Sequence, residues 1–312
     1  MPLRARFEAL APNVRGALWM LLAAMIWSIN EATIKGLGRS LDPFQISFFR
    51  CVFGGLTVLP FIFAMAGRRA FRTQRFGAHF VRAAAGYIAM ALAFYSIVNM
   101  PLADATALGF TRPLFMVVLA VLFLGEIVRW RRWTATAVGF LGVVVMARPG
   151  LESIDLALAA AVGGAFFVAL VSVMIKKLAE TEHPATIIFY FGVISSTLAL
   201  GPALLVWRTP TLIEFLILAG IGAFGSLGQY LTILAFRVGE ATAVDPFDYV
   251  RIVWATIFGY FFFAELPDLY TLLGAAIIIA STYYIARREA RIRQALRQAS
   301  PRTPDTKKGN SP

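Results

Sequence analysis

Glu31, Arg50, Arg112, Asp248 and Arg251 are ionisable side chains set in stretches that otherwise read as Ala, Val, Leu, Ile and Phe. An unpaired charge in hydrocarbon costs roughly 3 kcal/mol or more, so groups kept there are paired or put to use. Carboxylates hold a cationic group, and guanidinium groups hold a carboxylate, so the set has the chemistry of recognition. Trp27, Tyr87, Tyr95, Phe110, Phe247, Tyr249 and Trp254 are the aromatic residues near these positions and offer cation–π and stacking contacts to a planar or cationic ligand, with Trp27, Tyr87, Phe247 and Tyr249 the site candidates; Asn30 adds an amide beside Glu31. Catalysis has less to work with, since no Ser/His/Asp set is visible, and no catalytic residue is expected. The single cysteine, Cys51, and the two histidines, His79 and His183, supply neither an intramolecular disulfide, nor a zinc quartet, nor a haem pair. No metal site and no cofactor is therefore expected.

The elements that carry these residues follow from composition. Of 312 residues, 59% are hydrophobic and 15% charged, against roughly 45–50% and about 25% in soluble domains. The excess is organised into runs of about 20 residues, each long enough at 1.5 Å per residue to cross ~30 Å of hydrocarbon. Ten such runs lie near 16–37, 43–66, 78–99, 102–124, 131–148, 155–177, 184–206, 211–236, 240–263 and 268–286. The first is longer than the 7–15 apolar residues of a secretory signal, so it is expected to stay as a helix. An all-α integral membrane protein of ten transmembrane helices follows.

The net charge of +12 invites a nucleic-acid reading, but its placement argues otherwise. With ten spans both termini share a side. Of the 29 Lys and Arg residues, 21 fall on that side, 3 (Arg39, Arg148, Arg208) on the other, and 5 within spans. That asymmetry is the positive-inside pattern and places both termini in the cytoplasm. Residues 1–15 are then a cytoplasmic N-terminal segment and 287–312 a basic cytoplasmic tail, suited to anionic lipid and ending polar and Pro-rich. Membrane lipids and a small-molecule metabolite are the expected partners; nucleic acid is not.

The two halves resemble each other. Ile34-Lys35-Gly36-Leu37 matches Ile175-Lys176-Lys177-Leu178, and Pro43 to Phe48 matches Pro184 to Phe189, at one offset of 141. Ala105-Thr106-Ala107 matches Ala241-Thr242-Ala243, Arg112 matches Arg251, and Phe123 to Glu126 matches Phe262 to Glu265, at offsets of 136 to 139. The shared order marks a repeat, 16–148 and 149–286. Five spans per half is an odd number, so the halves are inverted. Inverted repeats belong to alternating-access transporters, which hold a solute near the midplane between the halves.

Topology also sets depth. Glu31 lies ~9 Å below the outer boundary and Arg50 ~10 Å, which lets the two meet and cancel both charges. Such a pair would be a clamp between spans one and two or part of a polar cavity, and both readings stay open. Lys35 is expected to pair with Glu31 along the helix or to snorkel outward. Arg112 and Arg251 both reach ~15 Å, the midplane, from opposite sides. Pro113 and Pro246 stand beside them, and a proline frees the carbonyl one turn earlier, leaving polar backbone at a depth where it must face protein or water. Asp248 stands three residues before Arg251, where it pairs as packing glue or faces a solute.

Gly220-Ile221-Gly222-Ala223-Phe224-Gly225 imitates a dinucleotide fingerprint, but no strand precedes it and it lies inside an apolar run. Close helix packing through small residues explains it better.

Together these residues resemble the drug/metabolite transporter superfamily in its ten-helix form of two EamA-type repeats, over roughly 14–288. The motifs carrying the resemblance are S-x-N-[ED]-x-x-x-K at Ser28 to Lys35, F-F-R at Phe48 to Arg50, P-L-x-x-A-T at Pro101 to Thr106, P-L-F with F-L-G-E at Pro113 to Glu126, R-W-x-x-T-x-V-G-F at Arg132 to Phe140, P-F-x-Y at Pro246 to Tyr249, and F-x-E-x-P-D at Phe263 to Asp268. Among members of known activity it looks most like bacterial S-adenosylmethionine uptake carriers, and less like riboflavin carriers and amino-acid or metallophore exporters. The resemblance implies a secondary carrier of the bacterial cytoplasmic (inner) membrane. A monomer or a homodimer is expected. A membrane receptor or assembly factor is the rival class, and it leaves the inverted halves unexplained.

Overall fold

The computed structural model describes residues 10–66, 72–124, 130–147, 155–178, 181–239 and 244–299. All regular structure among them is helical: α1 (Pro12–Leu37), α2 (Pro43–Ala66), α3 (Phe76–Asn99), α4 (Leu102–Gly109), α5 (Arg112–Leu124), α6 (Trp130–Ala147), α7 (Leu156–Leu178), α8 (Pro184–Leu205), α9 (Leu212–Val238), a 3₁₀ turn (Asp245–Tyr249), α10 (Val250–Phe263) and α11 (Leu269–Ala299). Gly125, Glu126 and Ala241 to Ala243, used in matching the halves, lie outside the described residues.

Helix starts are written into the chain. Pro12, Pro43 and Pro184 occupy first helical positions, where a missing N–H costs nothing. A capping box starts α9: the Glu214 N–H donates to Thr211 Oγ1 at 3.3 Å, and the Thr211 N–H donates to the Glu214 carboxylate at 2.8 Å.

Eight spans are long and apolar enough to cross a bilayer, with α4 and α5 forming one of them, Leu102–Phe123. The fifth, α6, is shorter in its apolar part, Trp133–Ala147. The ninth consists of the 14-residue α10 preceded by the five-residue 3₁₀ turn, and the two together reach about 31 Å. The ten-span all-α architecture thus holds, with spans four and nine broken in mid-course. At the first break Pro113 lacks the N–H that would bind the Gly109 carbonyl. The chain tightens there instead, the Thr111 N–H and hydroxyl both donating to the Leu108 carbonyl at 3.0 and 2.6 Å.

Packing repeats the internal symmetry. Helix α1 lies along α9 and α3 along α7, and exchanging the halves turns one pairing into the other; α2 with α8 and α6 with α11 are their own counterparts. The apolar centre joins α1, α2, α3 and α9 through Ile34, Ile46, Phe94, Leu218 and Ile221. Outward, Leu205, Leu212 and Phe261 are 88%, 75% and 74% exposed, a surface suited to lipid and not to water. The Gly220–Gly225 stretch lies within α9. At Gly222 that helix meets α2 backbone to backbone, since a Cβ there would stand 3.0 Å from the Gly54 nitrogen.

Candidate functional site

Helix α1 delivers Glu31 to the middle of the bundle, where it is 9% exposed and fully engaged. Its Oε1 pairs with Arg251 Nη2, and its Oε2 accepts from Thr106 Oγ1 at 3.3 Å. Arg251, in the first turn of α10, also faces Asp248 at 3.6 Å, one turn back. The Arg251 Cζ lies 5.9 Å from the ring centres of both Trp27 and Phe110, within cation–π reach of each. Phe110 meets Tyr249 edge to face at 4.8 Å, and the Tyr249 hydroxyl stands 2.6 Å from Thr282 Oγ1. The break in span nine is thereby tied to α1, α4 and α11.

These groups border a cavity of about 210 Å³. Helices α3 and α7 wall it with small side chains, Ala93, Ser96, Gly164 and Ala165 among them, and Arg112 and Pro113 reach it from the start of α5. Arg112 is exposed there and has no hydrogen bond or ion pair with a described residue. Two carboxylates and two guanidinium groups therefore share one small space, unevenly. Arg251 faces both Glu31 and Asp248, whereas Arg112 faces neither. Both arginines begin a half-span, where the partial positive charge of the helix N-terminus disfavours a cation and favours an incoming anion. An anionic group at Arg112 would meet an unspent guanidinium and the start of α5 together.

Of the site residues expected from sequence, Glu31, Arg112, Asp248, Tyr249 and Arg251 line this cavity, and Trp27 covers Arg251 from beside it. Asn30, Arg50, Tyr87 and Phe247 do not line it. Asn30 is 3% exposed and its Oδ1 has no hydrogen-bond partner among the described residues. Tyr87 packs with Cys51 and Ala91, near Phe44, and Phe247 is 37% exposed.

The expected Glu31–Arg50 pair is corrected. Arg50 turns toward α9, where its guanidinium lies between Gly54 and Gly225. Chain position gives a residue's height in the bilayer but not the face of the helix it occupies, and Glu31 faces α4 and α10. Lys35 likewise neither pairs with Glu31 nor snorkels; it is 7% exposed and pairs with Glu265 at 2.7 Å. Sequence reasoning also missed Thr106 and Ser96. Membership of the repeated Ala-Thr-Ala triplet was the signal available for Thr106, while Ser96 looks like any small residue at a helix contact.

Similarity to known proteins agrees with this architecture. The model of the EamA-like transporter family matches twice, at 14–148 and 155–287. The chain is 34% identical over 278 residues to an S-adenosylmethionine uptake transporter of Rickettsia felis, covering 89% of this chain and 94% of that one. It is 31% identical to a riboflavin transporter of Vibrio cholerae (89% and 95% covered) and 31% identical to a pseudopaline exporter of Pseudomonas aeruginosa (87% and 96% covered). One solved crystal structure superposes with a TM-score of 0.60 at 19% identity, covering 89% of this chain and 98% of that one, which speaks for the fold alone. Matched in both halves, and similar along its length to transporters and not to enzymes, the chain is a multi-pass membrane protein that belongs to the EamA-like transporter family.

Proposed function

We propose that this transporter is a secondary carrier moving a small zwitterionic or cationic metabolite of the S-adenosylmethionine kind across the bacterial cytoplasmic membrane by alternating access. The observation that carries the reading is the uneven charge of the cavity: Arg112 lacks a described carboxylate partner, while Arg251 is flanked by Glu31 and Asp248. A zwitterion answers both, its carboxylate at Arg112 and its sulfonium or ammonium at the surplus negative charge of Glu31 and Asp248. Phe110 and Tyr249 offer ring faces to a planar portion, and Trp27 supports Arg251. The names of the relatives favour small organic solutes. The excess of Lys and Arg in the loops on the terminal side supports cytoplasmic termini.

Size supports movement. Pockets for drug-sized ligands run about 300–1,000 Å³, so a cavity of about 210 Å³ must widen for an adenosyl compound. Broken spans and inverted halves supply the means, because one half rocking against the other changes the space between them.

Uptake of radiolabelled S-adenosylmethionine into proteoliposomes tests this. Saturable uptake above protein-free vesicles is expected. Flux of a flavin or an amino acid alone would replace the substrate, and no flux of any of these solutes would remove the transport reading.

A further inference from the structure

Away from the termini, one buried ammonium joins the two halves. Lys35 has three acceptors for its three N–H groups: the Glu265 carboxylate at 2.7 Å, the Met100 carbonyl at 2.5 Å and the Ile97 carbonyl at 3.3 Å. Glu265 Oε2 accepts in turn from the Leu102 N–H at 2.9 Å. A single ion pair thus ties α1, the end of α3 and the start of α4, all in the first half, to the segment after α10 in the second.

Glu265 is aimed by a strained turn. Ala264, immediately before it, has φ 57° and ψ 34°, the only positive φ of a non-glycine residue among the described residues. That left-handed conformation is disfavoured for an L-residue other than glycine, because Cβ crowds the following carbonyl oxygen. It lets the Glu265 N–H close onto the Gly259 carbonyl at 3.0 Å while the side chain reaches Lys35.

The pair stands between two spaces. Beyond it is a second pocket of about 200 Å³, bordered by Lys35, Arg39, Phe263 and Glu265. On its other side is Glu31, which already lines the main cavity and lies one helical turn, ~5.4 Å, from Lys35 along α1. At the opposite end of the bundle another lysine meets a phenylalanine ring: Lys177 Nζ lies 5.8 Å from the Phe123 ring centre, as Lys35 Nζ lies 5.5 Å from that of Phe263. Lys177 is exposed whereas Lys35 is buried.

We propose that Lys35 and Glu265 are the outer gate of the transport path, positioning residues that seal the main cavity from the pocket beyond and must part for a solute to pass. This rests on the cavity being a transport site, so the gate itself is read by access to the cavity and solute flux is read separately.

In a Cys51→Ala background, Ser96→Cys places one thiol in the cavity wall. A membrane-impermeant maleimide is applied to the outer face of right-side-out vesicles, and the labelling rate is read by mass shift. Slow labelling is expected with the gate intact. Glu265→Gln, which keeps an acceptor for Leu102, and Lys35→Met should each speed it by about tenfold or more, the effect of a 1.4 kcal/mol change in closure. Two variants guard against one failing to fold, and a melting curve shows which have folded. Parental labelling rates in folded Glu265→Gln or Lys35→Met would overturn the gate. Faster labelling without flux of any solute would leave the gate standing and remove the transport reading instead.

Discussion

Arg251 is the most heavily engaged side chain of the cavity, with Glu31 and Asp248 on its guanidinium and Trp27 and Phe110 within ring distance. Removing one partner from a buried pair is costly because the other charge stays behind. Glu31→Gln keeps the shape and the reach to Thr106 but leaves Arg251 with Asp248 alone, at 3.6 Å. Destabilisation by about 3 kcal/mol, the lower end for such changes since the Arg251 side chain is 22% exposed, should appear as a lower melting temperature in detergent, with uptake reduced as well. Unchanged melting would mean that the pair contributes little. The presence of charges at depth was legible in the chain, because Glu31 and Arg251 interrupt apolar runs. Their pairing was not, since a residue's height leaves open which way it faces, and Arg50 at nearly the level of Glu31 turns to α9.

Among the elements, the two broken spans and the glycine contacts of α9 do the positioning. Pro113 and Pro246 announced the breaks, and turn chemistry made those features legible. Close approach was legible only as a tendency: Gly220 and Gly222 look alike in sequence, yet a Cβ at Gly220 would meet nothing within 4 Å while one at Gly222 would press on the backbone of Phe53 and Gly54. Gly222→Ala should therefore lower stability by about 1–3 kcal/mol through overpacking. Gly220→Ala should raise it by up to about 1 kcal/mol through helix propensity. Paired melting curves check the contrast, and equal shifts would contradict the α2–α9 contact. At the strained turn, Ala264→Gly relieves the left-handed backbone and should stabilise the closed gate, slowing maleimide entry relative to the parent.

At the scale of the whole molecule, ten spans, their repetition and the basic loops were legible because each is a matter of composition and count. The cavity was not, because it arises where α3 and α7 of opposite halves bring small side chains together, and small residues are common throughout the chain. The basic loops on the terminal side lead to an orientation: the C-terminal tail should be cut by protease in inside-out vesicles and protected in right-side-out ones, and the reverse would place the Lys35–Glu265 gate on the cytoplasmic face. The central claim is that Arg112, the cavity cation without a described partner, receives the anionic group of a zwitterionic solute. Thermal stabilisation of the purified protein by S-adenosylmethionine and by its decarboxylated analogue tests it, since a ligand at a hundred times its Kd adds about 2.7 kcal/mol to the folded state. The parent should be stabilised clearly by the first and weakly by the second, and Arg112→Gln should respond weakly to both; a folded Arg112→Gln that S-adenosylmethionine stabilises as strongly as the parent would contradict the claim.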